Sequence, residues 1–495
     1  MALSLIRAHG IHVPWTHQRK LIPRRSIGLN RKEEFKMIVR TRREFIRDTV
    51  RSATALGAMS MLSRFGQMNA FAAPQSSSYQ ALVCIFLGGG NDGHNTVIPI
   101  STAQQKYSLY AQGRQGLALA QSSLLSINNG SDVYGLHPSM PEMQGLYNQG
   151  TLAVLANVGN LVQPINRDGY NTNNSAIVPA SLFSHSDQAS QWQSAIPTGI
   201  ASNGWGGRIA DLMQSQNAGA LFPAITNHAD CGLFCNGQQT FPATVPPPIS
   251  GSSGVTGMAT LTGVQHGTNP TGGEQQLLSF DNGLQLVQAA NGITTRGNTY
   301  ANTLTGLLQT SSLTTAFPAN NPLAAQLQTV ANVMSVRSQL GLTRQIFFCD
   351  FGSFDTHGAQ LETQQLLLQQ LSQAVLAFYQ ATQELGIAQS VTTFTASEFG
   401  RTLNPSGTDG SDHAWGNHHF IMGGGVQGGK FYGTFPSLVL GSENDANQRG
   451  TLIPTTSIAQ YGATLAQWFG VSAANLPAIF PNIANFTSSN IGFLA

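Results

Sequence analysis

The chain has 495 residues, a formal net charge of +2, 41% hydrophobic residues and only 9% charged residues. It is long enough for one large α/β domain or two smaller ones. Because the charged fraction lies far below the roughly 25% of an average soluble protein, the polar surface must consist mainly of Gln, Asn, Ser, Thr and Gly. A large share of the basic residues precedes Pro74, so the remaining chain should be mildly acidic, which argues against nucleic acid as a partner.

The N-terminal segment has the order of an export signal. Residues 41–47 (TRREFIR) resemble the twin-arginine consensus, a mildly apolar stretch covers 53–62, and residues 70–74 (AFAAP) have the small-x-small form of a cleavage site. The apolar stretch is much shorter than the roughly 20 residues of a membrane-spanning helix, so we expect no permanent membrane span. The alternative is a basic amphipathic helix on a membrane or on nucleic acid.

These signals divide the chain. We interpret residues 1–36 as an N-terminal extension from a start codon assigned too early, and residues 37–73 as a twin-arginine signal peptide. Residues 74–495 then form the exported domain, which the twin-arginine translocase would deliver to the periplasm or beyond it.

Apolar runs and helical periodicity alternate along the exported domain. The patterns predict strands at 81–87, 151–157, 344–350, 390–396 and 420–423, and helices at 138–149, 358–385 and 457–469. Such alternation favours an α/β fold with a mostly parallel central sheet covered by helices on both faces. Residues 240–273, rich in Gly, Pro and Thr, indicate a surface insertion.

Four cysteines are too few for a disulfide framework in a domain of this size. Cys84 and Cys349 lie in apolar runs typical of buried strands, and we expect both to be core residues. Cys231 and Cys235 are spaced for a local loop disulfide in an oxidising compartment.

Carboxylate and imidazole groups follow the predicted central strands. Because the carboxyl ends of parallel strands meet at one sheet edge, these groups could converge there and bind a pair of divalent metal ions. The candidate metal ligands are Asp92, Asp355, His357, Glu398, Asp412, His413 and His419.

Each candidate has a simpler interpretation. Asp92 lies in an Asn-Asp-Gly sequence that is common in turns, and Asp355 with His357 could form a hydrogen-bonded loop pair. Glu398 and Arg401 could form an ion pair that fixes a turn. Only one of His418 and His419 can point into a site if that segment is extended.

Four motifs together resemble the bacterial family called domain of unknown function 1501. They are FLGGGNDGHN from 86, FDTHG from 354, SEFGRT from 397 and DHAWGNHHFIMGG from 412, and the C-terminal segment 454–470 fits the family as well. The family is grouped with the alkaline phosphatase and sulfatase superfamily. The resemblance therefore implies an alkaline phosphatase-like fold and a site for one or two divalent metal ions.

The resemblance also implies roles for single residues. Asp92 would be the first metal-binding aspartate, and Asp355 with His357 would bind the other ion. Glu398 stands where the superfamily has the aspartate of an Asp-His pair, with Phe399 in place of the histidine. Either Asp412 and His413 supply the missing ligands, or that second metal site is altered or lost.

The resemblance also implies a nucleophile in segment 183–187, because superfamily enzymes have a serine, threonine or modified cysteine at a helix start next to the metal. Ser184 would be the nucleophile at a helix start, unless it or Ser186 only caps that helix. Arg401 would hold the substrate anion. The sequence thus predicts an exported metal-dependent hydrolase of phosphate or sulfate esters, acting on a small molecule or a polymer. The alternative is a non-catalytic exported protein of the same fold that binds a polymer or a partner.

Overall fold

The structure is a computed structural model of the chain. It describes residues 78–217, 220, 224–228, 232–245, 247, 283–309, 311, 313–407 and 409–494. The predicted extension, the signal peptide, Cys231 and most of the 240–273 insertion lie outside the described residues.

The described part of the chain contains fourteen strands and eleven α-helices, and the first strand is the one predicted at 81–87. The strands are β1 Gln80–Phe86, β2 Val97–Ser101, β3 Leu125–Asn129, β4 Asp132–Leu136, β5 Leu152–Gly159, β6 Ile225–Asn227, β7 Ala243–Thr244, β8 Arg344–Asp350, β9 Val391–Ala396, β10 Arg401–Pro405, β11 Ser411–His413, β12 Asn417–Met422, β13 Phe431–Tyr432 and β14 Thr456–Ser457. The helices are α1 Gly93–Thr96, α2 Tyr107–Arg114, α3 Pro141–Asn148, α4 Arg167–Asn171, α5 His185–Ser194, α6 Trp205–Met213, α7 Gln285–Leu308, α8 Pro322–Ser335, α9 Gln360–Glu384, α10 Ile458–Trp468 and α11 Leu476–Ile479.

A large central sheet organises these elements. Its strands lie in the order β13-β5-β12-β9-β1-β8-β6-β7, and β14 pairs with β5. β1 pairs in parallel with β8 and β9, and Phe86 at its end lies opposite Asp350 and Ala396. Because these three strands end level with one another, the loops that follow them leave the sheet at the same edge.

β12 is antiparallel to both of its neighbours, β5 and β9. Its first residue, Asn417, therefore lies at the edge where β9 ends. The segment that precedes β12 reaches this edge together with the loops that follow the parallel strands. This direction explains how residues before a strand and residues after a strand can contribute to one site.

Two hydrophobic cores cover the two faces of the sheet. Along β1, Ala81, Val83 and Ile85 pack into one core, while Leu82 and the residues alternating with it pack into the other. Helices α3, α8 and α9 cover the first face, and α5, α6, α10 and α11 cover the second. The predicted α/β fold with a mostly parallel sheet covered on both faces is confirmed.

Particular sequence predictions are also confirmed. Cys84 and Cys349 are buried, one in each core. The long helix predicted at 358–385 is α9, whose residues Leu368 and Leu371 are fully buried against the sheet. The C-terminal helix α10 begins after Ser457, whose side chain forms a capping box with the third helical residue.

Two smaller sheets have no counterpart in the sequence-based prediction. One has the order β2-β4-β3, and the other is the hairpin of β10 and β11. Their strands are short and their apolar runs are brief, so periodicity alone does not distinguish them from loops. In the part of the chain that the structure describes, no helix is both long enough and apolar enough to cross a membrane.

Candidate metal centre

Three side chains converge at the edge where β1, β8 and β9 end. His185 is the first residue of α5, Asp355 lies in the loop after β8, and His413 ends β11. One ligand atom of each lies within 4.8 Å of the other two. Nε2 of His413 lies 3.0 Å from Nε2 of His185 and 3.2 Å from Oδ1 of Asp355. We call these three residues the ligand cluster.

The outer nitrogen of each cluster histidine faces a hydrogen-bond acceptor. Nδ1 of His185 lies 2.8 Å from Oε1 of Glu398, and Nδ1 of His413 lies 2.8 Å from the carbonyl oxygen of Phe183. Because an ionised carboxylate and a carbonyl oxygen only accept, each Nδ1 must carry the hydrogen. In the neutral rings, both Nε2 atoms therefore present lone pairs toward each other and toward Asp355.

This set of atoms fits a divalent metal ion. Two imidazole lone pairs and a carboxylate at hydrogen-bond distance repel one another unless a cation or a proton lies between them. Imidazole nitrogen together with carboxylate oxygen is a common donor set for zinc and its neighbours. Metal-binding histidines also usually donate their other ring N–H to a carboxylate or a backbone carbonyl, as both cluster histidines do.

The neighbours of the cluster shift the pKa values of its members. The hydrogen bond to Glu398 raises the pKa of His185, against an opposing effect of burial. Burial lowers the pKa of His413. Burial acts to raise the pKa of Asp355, but the charges of Arg401 and the neighbouring histidines outweigh it and hold that pKa below its usual value. Asp355 is therefore ionised at neutral pH.

A fully buried guanidinium supports Asp355. Nη1 of Arg401 donates to Oδ1 of Asp355 and to the carbonyl oxygen of Gly89, both at 3.1 Å. Nε and Nη2 donate to the carbonyl oxygen of Ser411. Because the Arg401 side chain is 0% exposed, the structure places it inside the protein, whereas the sequence predicts contact with a substrate anion.

The glycines after β1 allow the backbone to pass between these groups. Gly89 has φ +112° and Gly90 has φ +81°, which L-residues with a Cβ rarely adopt. The N–H of Gly89 donates to Oε1 of Glu398 at 2.7 Å. A Cβ at Gly89 would lie 2.4 Å from the backbone nitrogen of Asp355, so the close approach of the two loops requires glycine.

The structure brings four of the seven predicted metal ligands together. Asp355 and His413 belong to the ligand cluster. Nε2 of His357 adjoins it, 2.9 Å from Nε2 of His413 and 3.1 Å from Oδ1 of Asp355. Glu398 contacts His185 from outside the cluster, where its Oε1 accepts from Nδ1 of that histidine.

Asp92 occupies a buried position of its own. Its carboxylate forms an ion pair with the fully buried Arg114 and accepts hydrogen bonds from the Gln360 side chain and the His94 backbone N–H. Burial raises the pKa of Asp92, and the nearby arginine charges oppose this effect. The negative charge of Asp92 is thus balanced by Arg114, and the ligand cluster does not include it.

Asp412 and His419 also lie outside the cluster. Asp412 pairs with Arg449 at 2.6 Å and lies 3.6 Å from Nδ1 of His357. His419 is 0% exposed in β12 and stacks on Tyr461, and burial lowers its pKa to about 3. Its side chain therefore points into the apolar core on the α10 side of the sheet.

Ser184, the predicted nucleophile, is the N-cap residue of α5. Its Oγ donates to Oδ2 of Asp187 at 2.6 Å and makes no capping hydrogen bond. The residue that sequence reasoning missed is the next one, His185. The sequence does point to this histidine indirectly, because it lies in segment 183–187. We expected that segment beside the metal, but as the source of a serine nucleophile.

A family model matches the part of the sequence that carries the site. The family described as "Protein of unknown function (DUF1501)" matches residues 79–459, from the start of β1 to the start of α10. The chain belongs to the DUF1501 family. The family membership that the sequence motifs indicate is therefore confirmed. A search of curated proteins finds no match to the chain.

This DUF1501 protein is also similar to solved structures. One is Ps i-CgsB, with 9% identity and a TM-score of 0.34 over 82% of this chain and 77% of that chain. Another is the PsFucS1 sulfatase from Pseudoalteromonas sp., with 9% identity and a TM-score of 0.31 over 87% and 72%. A third is the phosphonate monoester hydrolase of Agrobacterium radiobacter, with 10% identity and a TM-score of 0.30 over 79% and 74%.

Proposed function

We propose that this DUF1501 protein is an exported hydrolase that binds a divalent metal ion at the ligand cluster and cleaves phosphate or sulfate esters. The observation that carries the proposal is the orientation of His185 and His413. Each ring directs Nδ1–H at a fixed acceptor and directs Nε2 at Asp355. A cation between the two Nε2 atoms and the Asp355 carboxylate would be attracted to all three groups, so coordination would replace their mutual repulsion.

The chain supplies the ligands and their supports. His185, Asp355 and His413 would hold the ion, while Glu398 and the Phe183 carbonyl oxygen keep the rings in the required tautomer. When bound, a divalent ion polarises an ester oxygen and lowers the pKa of the attacking group. Three protein ligands leave coordination positions for a substrate, as in catalytic rather than structural sites.

The exposure of the cluster supports a catalytic role. The Asp355 side chain is 45% exposed and the adjoining His357 side chain is 47% exposed. The supporting Glu398 and Arg401 are buried behind them. A substrate can therefore approach the metal position from solvent, whereas a structural metal site is enclosed by its protein ligands.

Ser184 is the proposed nucleophile. It precedes the metal-ligand candidate His185 at the start of α5, where backbone N–H groups can also attract an anionic ester. Its hydroxyl hydrogen is directed at the carboxylate of Asp187, which would accept the proton as Oγ bonds to the phosphorus or sulfur and the ester alcohol leaves; water would then release the anion from Ser184. Ser184→Ala should abolish turnover while leaving metal content unchanged. A variant that retains turnover would assign the attack to another group.

Metal content tests the binding step. The protein is purified from an export-competent host without chelator, and its metals are measured by mass spectrometry. We expect one Zn, Mn, Ca or Mg ion per chain, lost in Asp355→Ala and His413→Ala. Asp132→Asn, a carboxylate on β4 that accepts from the Ala103 backbone N–H, is the matched control and should retain the ion. A metal-free wild-type protein would refute the proposal.

Turnover tests the reaction. The metal-loaded protein is assayed with a panel of aryl phosphates, aryl phosphate diesters and aryl sulfates. We expect hydrolysis of at least one class of ester, and we expect Asp355→Ala to lose this activity. Chelator treatment should inactivate the wild-type protein, and added metal should restore its activity. A metal-loaded protein that is inert on every ester would favour the non-catalytic alternative, a binding protein of the same fold.

A further inference from the structure

Two buried charged groups near the ligand cluster are connected through uncharged side chains. Asp92, paired with Arg114, accepts from Nε2 of Gln360. Oε1 of Gln360 accepts from the Ser411 hydroxyl at 2.6 Å. The Ser411 oxygen in turn accepts from Nε of Arg401 at 3.2 Å. All of these side chains are at least 95% buried, so solvent does not compete for their hydrogen bonds.

The direction of every hydrogen bond in this series from Asp92 to Arg401 is determined. A carboxylate only accepts and a guanidinium only donates, so the amide of Gln360 must place its NH₂ group toward Asp92 and its oxygen toward Ser411. The Ser411 hydroxyl then donates to Gln360 and accepts from Arg401. The series of hydrogen bonds is therefore continuous from the Asp92 carboxylate to the Arg401 guanidinium, and each hydrogen bond polarises the next.

We propose that Asp92 is a positioning residue, which acts through Gln360 and Ser411 to hold Arg401 against Asp355 and so sets the metal affinity of the ligand cluster. The inference rests on the proposed metal site, but it assigns Asp92 a role different from that of a ligand. The charge of Asp92 is already paired with Arg114, so Asp92 acts on Arg401 through the hydrogen bonds of Gln360 and Ser411 and not as its ion-pair partner.

The physical reason is that hydrogen bonds hold the guanidinium of Arg401 from two sides. A guanidinium held on one side only can shift relative to its carboxylate partner, which changes the orientation of the oxygen atoms that Asp355 offers to a metal ion. The chain from Asp92 holds the Nε side of Arg401, while Nη1 contacts Asp355. Asp355 therefore keeps a fixed orientation.

The test uses the full-length protein and compares two substitutions in the hydrogen-bond series with a matched control substitution. Ser411→Ala removes only the hydroxyl link, because the Ser411 carbonyl oxygen still holds Arg401. Asp92→Asn removes the charge. Gln364→Leu is the control: Gln364 is equally buried one turn along α9, and its amide donates to the backbone oxygen of Asp92 and the Thr96 hydroxyl, not to the side chains that link Asp92 to Arg401.

Zn²⁺ and Mn²⁺ are the probes, with affinity measured by chelator competition and stoichiometry by mass spectrometry. We expect Ser411→Ala and Asp92→Asn to bind one ion about tenfold more weakly than the wild type, as loss of an outer-shell partner does, and Gln364→Leu to bind it normally. If Asp92→Asn removes one of two ions and leaves the affinity for the other unchanged, Asp92 is a ligand and the inference fails. If Asp92→Asn does not fold, Ser411→Ala decides.

A second measurement separates this inference from the proposed function. Hydrogen exchange of the Arg401 Nε–H, followed by NMR on ¹⁵N-arginine-labelled protein, needs no metal. We expect Ser411→Ala to accelerate this exchange several-fold and Gln364→Leu to leave it unchanged. Equal exchange in all three proteins refutes the chain of hydrogen bonds. If the wild-type protein binds no metal but Ser411→Ala accelerates the exchange, the hydrolase proposal is refuted, while the coupling between Ser411 and Arg401 is supported.

Discussion

At the level of single residues, the position of one hydrogen on each cluster histidine is the main support for a metal. Glu398 and the Phe183 carbonyl oxygen fix that hydrogen on Nδ1 of His185 and His413. Both contacts come from outside the ligand cluster. A carboxylate that orients a histidine is therefore as important to the proposed site as the carboxylate that binds the ion.

The pH dependence of metal binding follows from His185. The hydrogen bond to Glu398 raises its pKa above the ordinary value of 6.5, and a metal ion can bind Nε2 only after the extra proton leaves. Metal affinity should therefore be constant above the raised pKa and fall about tenfold per pH unit below it, because one proton competes with the ion. Titration with Zn²⁺ from acid to mildly alkaline pH measures this.

Glu398→Gln provides the matched comparison for that titration. It keeps the side-chain shape but weakens the hydrogen bond and removes the charge that together raise the pKa of His185, so the transition should move to lower pH. The affinity above the transition should fall by about tenfold, because the acceptor that orients the ring is weaker. An unchanged transition in Glu398→Gln would contradict the assignment of His185 as the limiting group.

At the level of elements, the loops after the strands position the site. β1, β8 and β9 end level with one another, and antiparallel β12 begins at the same edge. The glycines after β1 let the first loop lie directly against the loop that carries Asp355. Close backbone contact of this kind holds a functional group within a fraction of an ångström.

Gly89→Ala should destabilise the protein strongly. The new Cβ would lie 2.4 Å from the Asp355 backbone nitrogen at a φ of +112°, so either this loop or the Asp355 loop must move. We expect a loss of about 3 kcal/mol in unfolding free energy, from backbone strain together with overpacking, and a loss of metal binding. Denaturant unfolding and metal content measure the two effects.

Gly116→Ala is the control for that substitution. A Cβ at Gly116 meets nothing within 4 Å. Its unfolding free energy should change by less than about 0.5 kcal/mol, as at most surface positions. Similar unfolding curves for Gly89→Ala and Gly116→Ala would show that the two loops do not need their close contact.

At the level of the whole molecule, we expect export to depend on the arginine pair that precedes the domain. Replacement of Arg42 and Arg43 by lysine should leave the precursor inside the cell, because the twin-arginine route requires the pair. Arg40→Lys, just outside the consensus, should be exported normally. Fractionation measures the distribution, and sequencing the exported N-terminus should find a start directly after Ala72 or Ala73. Export of the double lysine variant would contradict the predicted route.

Local sequence patterns are sufficient to identify the main elements and the family of this protein. Periodicity locates β8 at Arg344–Asp350 and places α9 within two residues at its start, because long apolar patterns are local properties of the chain. The motifs after the strands indicate DUF1501 membership. Residue chemistry also points to Asp355, whose carboxylate follows β8, and to His413, whose imidazole lies in the motif before β12.

Which of the candidate groups meet depends on tertiary packing. Asp92 follows β1 much as Asp355 follows β8, yet α2 brings Arg114 against it and leaves Asp355 to face two histidines. His185 lies far from Asp355 in sequence, and only the packing of α5 against the sheet brings it to the site. Contacts between distant segments depend on the three-dimensional arrangement of the elements, which local sequence patterns do not encode.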